Sequence, residues 1–574
     1  MKKNINKVNG QQSTVNKVLL SLSLSLSLLF VSCDDFLVIT PLNEIVLENY
    51  WTEEADVNSV VNSCYAQLES SDCIKRMIIW GELRSDDMTN GASSDNTIKE
   101  ILKENILETN TFSKWECFYQ CINRCNTVLH YAPDVNKIDP NFNKEKLKAT
   151  MAEATILRSI CYFYLIRTFR DVPFVTEPSI DDTKSFVVAP SSFEVVLDSL
   201  IEDVEEVAED AVRSYGENSI ENTCRITRWT AYTLLADLYL WKGEYQKCVE
   251  YCDKVIDQKI KEYEDKREKD PSSLTIELFG KYPLISETPA GSTYSGNAYE
   301  EIFGKGNSFE SIFELTFERN KSASNSTISS FYGGRDTNGS ISAPNFLFEE
   351  AYSGQNKYFK KTDCRYLEYM KESSTKIAIT KYVNEQVSFK STTTAGSAPT
   401  VNSEARSDEY PNWIIYRLSD VMLMKAEAEV ELAGAIDSLI TDEQTSLYQS
   451  AFACVSAIWK RANNKRVATT DTLVYSDYAT SRVKMEDLVF DERQREFLFE
   501  GKRWYDFVRL SRRDQSNSRM IEKVLPKFEE NAAAIRIRLS AQDALYWPYA
   551  ESELKINGFL KQNPAYIKDN GFEM

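Results

Sequence analysis

Residues 492–510, ERQREFLFEGKRWYDFVRL, constrain the fold more than any other part of the chain. Glu492, Glu496 and Glu500 recur every four residues, so on a helix they share one face. Arginines lie within a turn or two of these carboxylates and supply the opposite charge, and aromatic residues fill the positions between them. An unpaired carboxylate costs several kcal/mol when it is buried. The pattern therefore predicts a helical segment that is docked into a core through partly buried ion pairs.

The same run resembles the signature near the C-terminus of the SusD/RagB family, the surface glycan-binding lipoproteins of Bacteroidetes. Its elements Glu-Arg, Glu-x-x-x-Glu-Gly-x-Arg-Trp and Asp-x-x-Arg occur in register. Residues 152–177, 416–432, 546–549 and 562–566 resemble further blocks of this family, in the same order. The resemblance covers nearly all of the chain after Cys33. It implies a structural motif made of Glu492, Arg493, Glu496, Glu500, Gly501, Arg503, Trp504, Asp506 and Arg509.

The N-terminus has the pattern of a lipoprotein signal peptide. Four lysines precede an apolar run at residues 18–31, which is shorter than the roughly 20 residues of a membrane span. Ser32 and Cys33 resemble a bacterial lipobox, which predicts cleavage before Cys33 and acylation of its thiol. The following Asp34 and Asp35 resemble the signal for export to the outer face of the outer membrane. An ordinary secretory signal with an incidental cysteine is the alternative.

Composition excludes several functional classes. The net charge of −20 repels phosphate backbones, so nucleic-acid binding is not expected. The single histidine, His130, leaves little room for histidine-based catalysis or zinc binding, and we expect no cofactor and no metal. Eleven cysteines follow Cys33, an odd number that cannot pair completely. Several of them recur at helical spacing, which predicts thiols in helix packing: Cys117, Cys121, Cys125, Cys248 and Cys252.

Helical periodicity predicts a mostly α-helical protein, built on tetratricopeptide-like helix pairs with a loop-rich irregular cap. Single helices are predicted at residues 51–68, about 112–131 and 144–169. One helix pair is predicted within 232–255, turning at Gly243, and another at 413–432 with 448–462. The predicted organisation is a signal peptide at 1–32, a lipidated tether at 33–50 and a SusD/RagB-like domain at 51–574. That domain would contain a tetratricopeptide-rich part to about 260, a ligand insertion at about 271–345 and a C-terminal SusD/RagB part to 574.

Two regions that break the helical pattern, residues 80–91 and 271–345, mix aromatic with polar side chains. Sugar rings stack on aromatic faces, and their hydroxyl groups bond with carboxylates, amides and guanidinium groups. Members of the family that resemble this chain place ligand residues in such regions. We therefore expect part of the ligand site to come from Trp80, Asp86, Asp87, Asn90, Tyr294, Tyr299, Tyr332, Arg335, Asp336 and Asn338. For each aromatic residue, core packing or loop anchoring is the alternative.

The resemblance implies a non-catalytic, outward-facing lipoprotein of the outer membrane. It would capture oligosaccharides and act as a lid on a SusC-like TonB-dependent transporter. One alternative keeps this assembly but has a peptide as cargo. The other is a secreted glycan-cleaving enzyme, which needs two carboxylates across an open cleft. Glu492 and Glu496 are poor candidates for that pair, because arginines on the same segment would hold both ionised.

Overall fold

A computed structural model of the chain describes most of the sequence beyond residue 49. The described residues are 50–180, 187–217, 219–271, 275–289, 292–318, 324–334, 339–348, 358–360, 362–373, 376–390, 400–408, 410–435, 440–463, 473–528 and 530–567. The chain divides into two units, Met1–Thr52 and Glu53–Met574. Only residues 50–52 of the first unit are described, and every element named below belongs to the second.

Helices dominate the described residues, as predicted. The α-helices are α1 (Glu54–Leu68), α2 (Ser71–Ile78), α3 (Asn96–Leu102), α4 (Glu116–Ile138), α5 (Lys144–Phe169), α6 (Phe193–Val207), α7 (Glu221–Cys224), α8 (Arg228–Lys242), α9 (Tyr245–Lys269), α10 (Asn297–Tyr299), α11 (Ser326–Phe331), α12 (Asn345–Phe348), α13 (Arg365–Glu368), α14 (Leu418–Ala433), α15 (Asp442–Ala462), α16 (Tyr475–Tyr478), α17 (Arg482–Phe497), α18 (Arg503–Asp514), α19 (Ser518–Val524), α20 (Ala532–Leu539) and α21 (Glu551–Ile556). Two π-helical turns, Ile79–Leu83 and Glu300–Lys305, continue α2 and α10. Short 3₁₀ turns occupy Thr111–Ser113, Leu525–Lys527, Gln542–Leu545 and Pro564–Tyr566.

The long helices form a continuous stack of neighbours. Helix α1 packs on α4, α4 on α5, α5 on α6, α6 on α8, α8 on α9, α9 on α14, and α14 on both α15 and α17. Each helix buries its apolar stripe against the next one, as in tetratricopeptide arrays. Helices α8 and α9 form the predicted pair, and Gly243 takes the left-handed conformation (φ +81°) that ends α8.

The cysteines contribute to this helical core. All eleven cysteines after Cys33 lie in the described residues as free thiols, and every one except Cys224 is buried. The three at helical spacing on α4 pack as small apolar groups, as the spacing predicts.

Short β-ribbons fill the region between α9 and α14 and connect it to the earlier part of the chain. The strands are β1 (Thr89–Asn90), β2 (Val172–Pro173), β3 (Pro190–Ser191), β4 (Ile276–Phe279), β5 (Tyr282–Ile285), β6 (Ser311–Leu315), β7 (Ile341–Ser342), β8 (Met370–Glu372), β9 (Ile377–Ile379), β10 (Asn384–Lys390), β11 (Thr400–Ala405) and β12 (Trp413–Arg417). The described strands pair antiparallel as β1–β7, β2–β3, β4–β5, β6–β12, β8–β9 and β10–β11.

Several predicted boundaries are wrong. Helix α1 begins at Glu54 rather than at Trp51, and α15 begins at Asp442 rather than at Tyr448. Helix α4 begins at Glu116 and runs through Pro133 to Ile138, because buried residues on both sides of the proline hold its last turns in the core. Residues 413–417 form β12 rather than the start of a helix, since all five side chains are buried in a ribbon with β6. Residues 80–83 are π-helical rather than a loop.

Candidate ligand-binding cleft

The structure joins the two regions that the sequence nominates for ligand binding. Strand β1 follows the first helices and pairs with β7 of the mid-chain insertion, with Asn90 opposite Ile341. The two backbones approach closely at Gly91, whose N–H donates to the Ser340 carbonyl over 3.0 Å. A Cβ atom at position 91 would lie 2.4 Å from the Gly339 carbonyl oxygen, so this approach requires glycine.

A cleft of about 830 Å³ opens beside this ribbon. Its first wall comes from β1, α3 and residues 103–105, and its second from residues 343–346 together with Lys376. Residues 526–528 and 530–538, which include most of α20, form the third wall. Two other clefts are smaller, about 430 and about 500 Å³. A volume of this size falls in the range that encloses small organic ligands, roughly 300–1,000 Å³.

The lining of the cleft combines amides with aromatic rings. Asn90, Asn345 and Asn531 supply amide donors and acceptors, one from each wall. Phe346 and Phe528 are half-buried, so each ring keeps a face within reach of a ligand. The Phe346 ring also rests against Tyr358, at 5.6 Å between ring centroids. Such a lining can stack a sugar ring and bond with its hydroxyl groups.

The third wall is fastened to the first by the half-buried Lys527 and the exposed Arg538. The Lys527 Nζ atom donates to the carbonyl oxygens of Arg84 (2.8 Å) and Ser85 (2.6 Å). Burial lowers the pKa of Lys527 to about 8, although Glu104 opposes this shift. Arg538 donates to the Glu104 carbonyl oxygen. Sequence reasoning missed this wall, whose signal is weak: residues 527–538 hold three basic and two acidic residues, a small positive excess in a strongly acidic chain.

Five of the seven predicted ligand residues that the structure describes are buried in the core and do not line the cleft. Trp80 is fully buried, donates from Nε1 to the Phe112 carbonyl oxygen over 2.8 Å and stacks on Phe118. The buried Tyr299 hydroxyl donates to the Thr380 carbonyl oxygen over 2.9 Å. These contacts are those of core residues.

Tyr332, Asp86 and Asp87 are buried as well. The Tyr332 hydroxyl donates to the Phe499 carbonyl oxygen over 2.9 Å. Asp86 accepts hydrogen bonds from Arg503, and burial raises the pKa of Asp87 to about 7 with a further contribution from the Asp86 charge.

Among the predicted ligand residues that the structure describes, Asn90 is the one that lines the cleft. Tyr294 is 49% exposed but is not part of the lining. Arg335, Asp336, Asn338 and the lipidation candidate Cys33 lie outside the described residues. A direct ligand contact therefore stays a prediction for each residue of the set.

The signature segment forms a buried ion-pair network. Glu496 is fully buried and contacts Arg365 at 2.9 Å, Arg417 at 2.5 Å and also Arg461. Burial by itself would raise the pKa of Glu496, but these three guanidinium groups outweigh it and hold the pKa well below its usual range. Glu500 contacts Arg417 and Lys381, each at 2.7 Å.

The partners of these carboxylates differ from those that the sequence suggests. Nearby arginines were the expected partners, but Glu496 and Glu500 pair with cations from remote elements. Helix α17 ends at Phe497, so the expected helix face holds Glu492 and Glu496, whereas Glu500 lies in the turn that follows. The local expectation is correct for Glu492, which contacts Arg495 at 2.7 Å. The remaining pairs are Glu492 with Arg365, Arg493 with Asp420 and Asp506, Arg503 with Asp86, and Arg509 with Asp506 and Glu427.

This network supports the first wall of the cleft. Both carboxylate oxygens of Glu82, in the π-helical turn, accept backbone N–H groups of Phe499 and Gly501. Gly81 lies against Gly501 so closely that an added Cβ atom would be 1.8 Å from the Gly501 carbonyl oxygen. Trp504 donates from Nε1 to the Leu545 carbonyl oxygen over 3.0 Å. The signature therefore positions the segment that leads into β1.

The described residues contain neither a metal-binding cluster nor a membrane-spanning helix. No group of three or more His, Cys, Asp or Glu side chains is arranged to hold a metal ion there. No described helix combines the length and the apolar character needed to span a membrane.

Comparison with known proteins identifies the family. A family model described as the SusD family matches residues 252–566, more than half of the chain. A second model, described as starch-binding and associating with the outer membrane, matches residues 40–240. The SusD-like protein P38 of Formosa agariphila is 22% identical over 548 residues, which cover 93% of this chain and 96% of that protein. The SusD-like protein P25 of the same organism is 22% identical over 503 residues, covering 83% and 87%.

Solved structures share the fold. A SusD superfamily protein of Bacteroides thetaiotaomicron superposes with a TM-score of 0.62 at 18% identity, covering 89% of this chain and all of that chain. NanU of B. fragilis gives a TM-score of 0.61 at 18% identity, with 92% and 100% covered. A putative sugar binding protein of Bacteroides vulgatus gives 0.61 at 19% identity, with 90% and 100% covered. The family model that matches more than half of the sequence, together with this shared fold, shows that the chain belongs to the SusD family.

Proposed function

We propose that this protein is a non-catalytic surface lipoprotein that binds oligosaccharides and delivers them to a SusC-like TonB-dependent transporter of the outer membrane. The observation that carries the proposal is the cleft, in which amides and half-buried aromatic rings converge from three walls. Its size and its mixture of ring faces and hydrogen-bonding groups suit a short sugar chain. Membership of the SusD family supports the carbohydrate class.

The charged groups of the cleft favour binding over hydrolysis. Among the described lining residues the only carboxylates are Glu100 and Glu530. Hydrogen bonds from Asn105 and Lys103 lower the pKa of Glu100, whereas a glycosidase acid needs a raised pKa. A secreted glycan-cleaving enzyme is therefore the weaker alternative.

Attachment to the membrane would come from acyl chains on Cys33, which lies in the predicted lipobox. The anchor would hold the cleft in the plane of the transporter, so that a weak single-site affinity suffices at the high effective concentration there. Asp34 and Asp35 support export to the outer face, and the lid role on the transporter rests on the family resemblance.

Calorimetric titration of residues 34–574 with a panel of oligosaccharides and peptides tests this function. We expect saturable binding of a glycan without the appearance of new products. The substitution Phe346→Ala removes an aromatic ring of the cleft and should weaken binding. Phe559→Ala, which removes an exposed phenylalanine ring outside the lining, is the matched control. Cleavage products would contradict the non-catalytic function, and binding of peptides alone would favour the alternative cargo.

A further inference from the structure

The charge of the cleft lining is opposite to that of the whole chain. The sequence has 67 lysines and arginines against 87 aspartates and glutamates. The lining, by contrast, contains the five cations Lys99, Lys103, Lys376, Lys527 and Arg538 but only two carboxylates, Glu100 and Glu530. Such a local excess of cations in an acidic protein points to a function of the positive charge in this cleft.

Three of these cations have protein partners, but only Lys103 has a carboxylate. Lys103 pairs with Glu100 at 3.3 Å, and Lys527 donates to backbone carbonyl groups behind the wall. For Lys99, Lys376 and Arg538, no carboxylate of the described residues lies within ion-pair distance, although Arg538 donates one hydrogen bond to a backbone carbonyl. Each of the three comes from a different wall of the cleft.

Like charges that converge across a cleft repel one another, and this repulsion is relieved when an anion enters. Walls of low dielectric constant focus the field of such cations into the cleft. Lysine and arginine side chains bind carboxylate and sulfate groups through charge-assisted hydrogen bonds, and arginine can do so with two parallel bonds. The amides and the two phenylalanine rings beside them remain suited to a sugar ring.

We propose that the cleft selects anionic oligosaccharides, whose uronate carboxylates or sulfate esters are bound by Lys99, Lys376 and Arg538. The inference rests on the proposed capture of oligosaccharides and adds the chemical class of the ligand. The neutral part of each sugar unit stacks on Phe346 or Phe528, and the acidic group points to the cations. A neutral glycan of the same length supplies no charge to these cations and should therefore bind more weakly.

The test compares ligands that differ only in charge. The affinity of residues 34–574 is measured for an oligogalacturonide and for its methyl ester, and for a sulfated oligosaccharide and its desulfated form. An acidic peptide of equal charge forms a third arm. We expect the charged form of at least one glycan pair to bind about tenfold or more tightly than the neutral form. This preference should shrink as salt screens the charges.

Two sets of variants locate the effect. The triple variant Lys99→Gln, Lys376→Gln and Arg538→Gln should lose the preference for the charged ligand. The variant Lys144→Gln, Lys247→Gln and Lys261→Gln makes the same change in net charge at exposed lysines outside the cleft, and should keep it. Arg538 also donates to a backbone carbonyl, so its substitution could disturb the wall itself. The double variant Lys99→Gln and Lys376→Gln therefore repeats the test with Arg538 intact. Combining Lys99→Gln with Lys376→Arg instead should restore part of the binding of the charged ligand.

Each outcome supports or overturns the inference. Equal affinity for charged and neutral forms of both glycans overturns the anionic class but leaves glycan capture standing. An equal loss in the exposed-lysine variant also overturns it, because net charge alone would then explain the preference. Tight binding of the acidic peptide without binding of any glycan overturns the carbohydrate class. If no glycan or peptide binds the wild-type protein, both this inference and the proposed function fail.

Discussion

Replacing Glu496 by glutamine isolates the contribution of the buried ion-pair network to stability. The substitution keeps the shape of the side chain and removes the negative charge shared by Arg365, Arg417 and Arg461. It also places the amide N–H₂ group where only hydrogen-bond donors face it. The side chain is fully buried, so water cannot replace the lost partner.

The expected loss of unfolding free energy depends on which carboxylates the three arginines keep after the substitution. Removing one partner of a buried ion pair destabilises a protein by about 3–5 kcal/mol. Here every arginine keeps another carboxylate: Arg365 has Asp363 and Glu492, Arg417 has Glu500, and Arg461 has Glu310. These second partners prevent a larger loss, so we expect the free energy of unfolding to fall by about 4 kcal/mol. At about 2 cal/mol/K of unfolding entropy per residue, a unit of roughly 500 residues would melt about 4 °C lower.

Urea unfolding and thermal melting of residues 34–574, followed by circular dichroism, measure this difference. Glu551→Gln is the matched control, because Glu551 pairs with Lys555 at the surface, where side-chain exposure is 43% and 69%. That pair should contribute less than about 1 kcal/mol. A loss for Glu496→Gln no larger than that of the control would refute the argument that the network depends on this carboxylate.

The same pair of proteins gives a pH signature. Because the folded-state pKa of Glu496 is depressed, its stabilisation is present above the unfolded-state pKa of about 4.3 and is lost as the pH falls through the lower folded-state value. The stability difference between wild type and Glu496→Gln should therefore be constant between about pH 5 and 8 and shrink in stronger acid. A difference that already declines between pH 8 and 5 would contradict the depressed pKa.

Three further predictions follow from individual residues. Gly81→Ala should destabilise the protein by about 1–3 kcal/mol, since the new methyl group would overlap the Gly501 carbonyl oxygen, whereas Gly558→Ala has open space around it and should change stability by less than about 0.5 kcal/mol. Burial raises the pKa of Glu69 to about 7, so the stability of the wild type relative to Glu69→Gln should fall as the pH rises from about 4 through 7. Cys33→Ala should move the full-length protein from the membrane fraction to the soluble fraction, because acyl chains on Cys33 are the proposed anchor.

Each of these three has a result that would contradict it. Equal melting temperatures for the two glycine variants would show that the contact between positions 81 and 501 relaxes without loss. A pH-independent difference between wild type and Glu69→Gln would mean that the carboxyl group is solvated in the folded state. Unchanged membrane fractionation of the Cys33 variant would remove the lipid anchor from the proposed function.

Local sequence patterns were sufficient for the helical framework. The periodicity of residues 144–169 gives the bounds of α5, and Gly243 marks the turn between α8 and α9. The four-residue spacing of Glu492, Glu496 and Glu500 indicates a buried charged face on α17 and the residues that follow it. These features depend on the repeat of the helix and on backbone conformation, both of which neighbouring residues control.

Local patterns were insufficient for the cleft. Aromatic and acidic residues in the predicted loops, such as Trp80 and Asp86, have a composition that suits either a ligand or a core, and packing with remote segments places them in the core. Lys527 and Arg538 reach the cleft only because residues 526–528 and 530–538 fold back onto residues 84–104.

The sequence by itself determined the family resemblance, the mostly α-helical stack and the presence of a charged, aromatic signature. Only the tertiary structure decided which cations neutralise Glu496, and which side chains line the cleft. The physical reason is range: helix periodicity and turn preferences act over a few residues, whereas ion pairs and cleft walls join residues that are hundreds of positions apart.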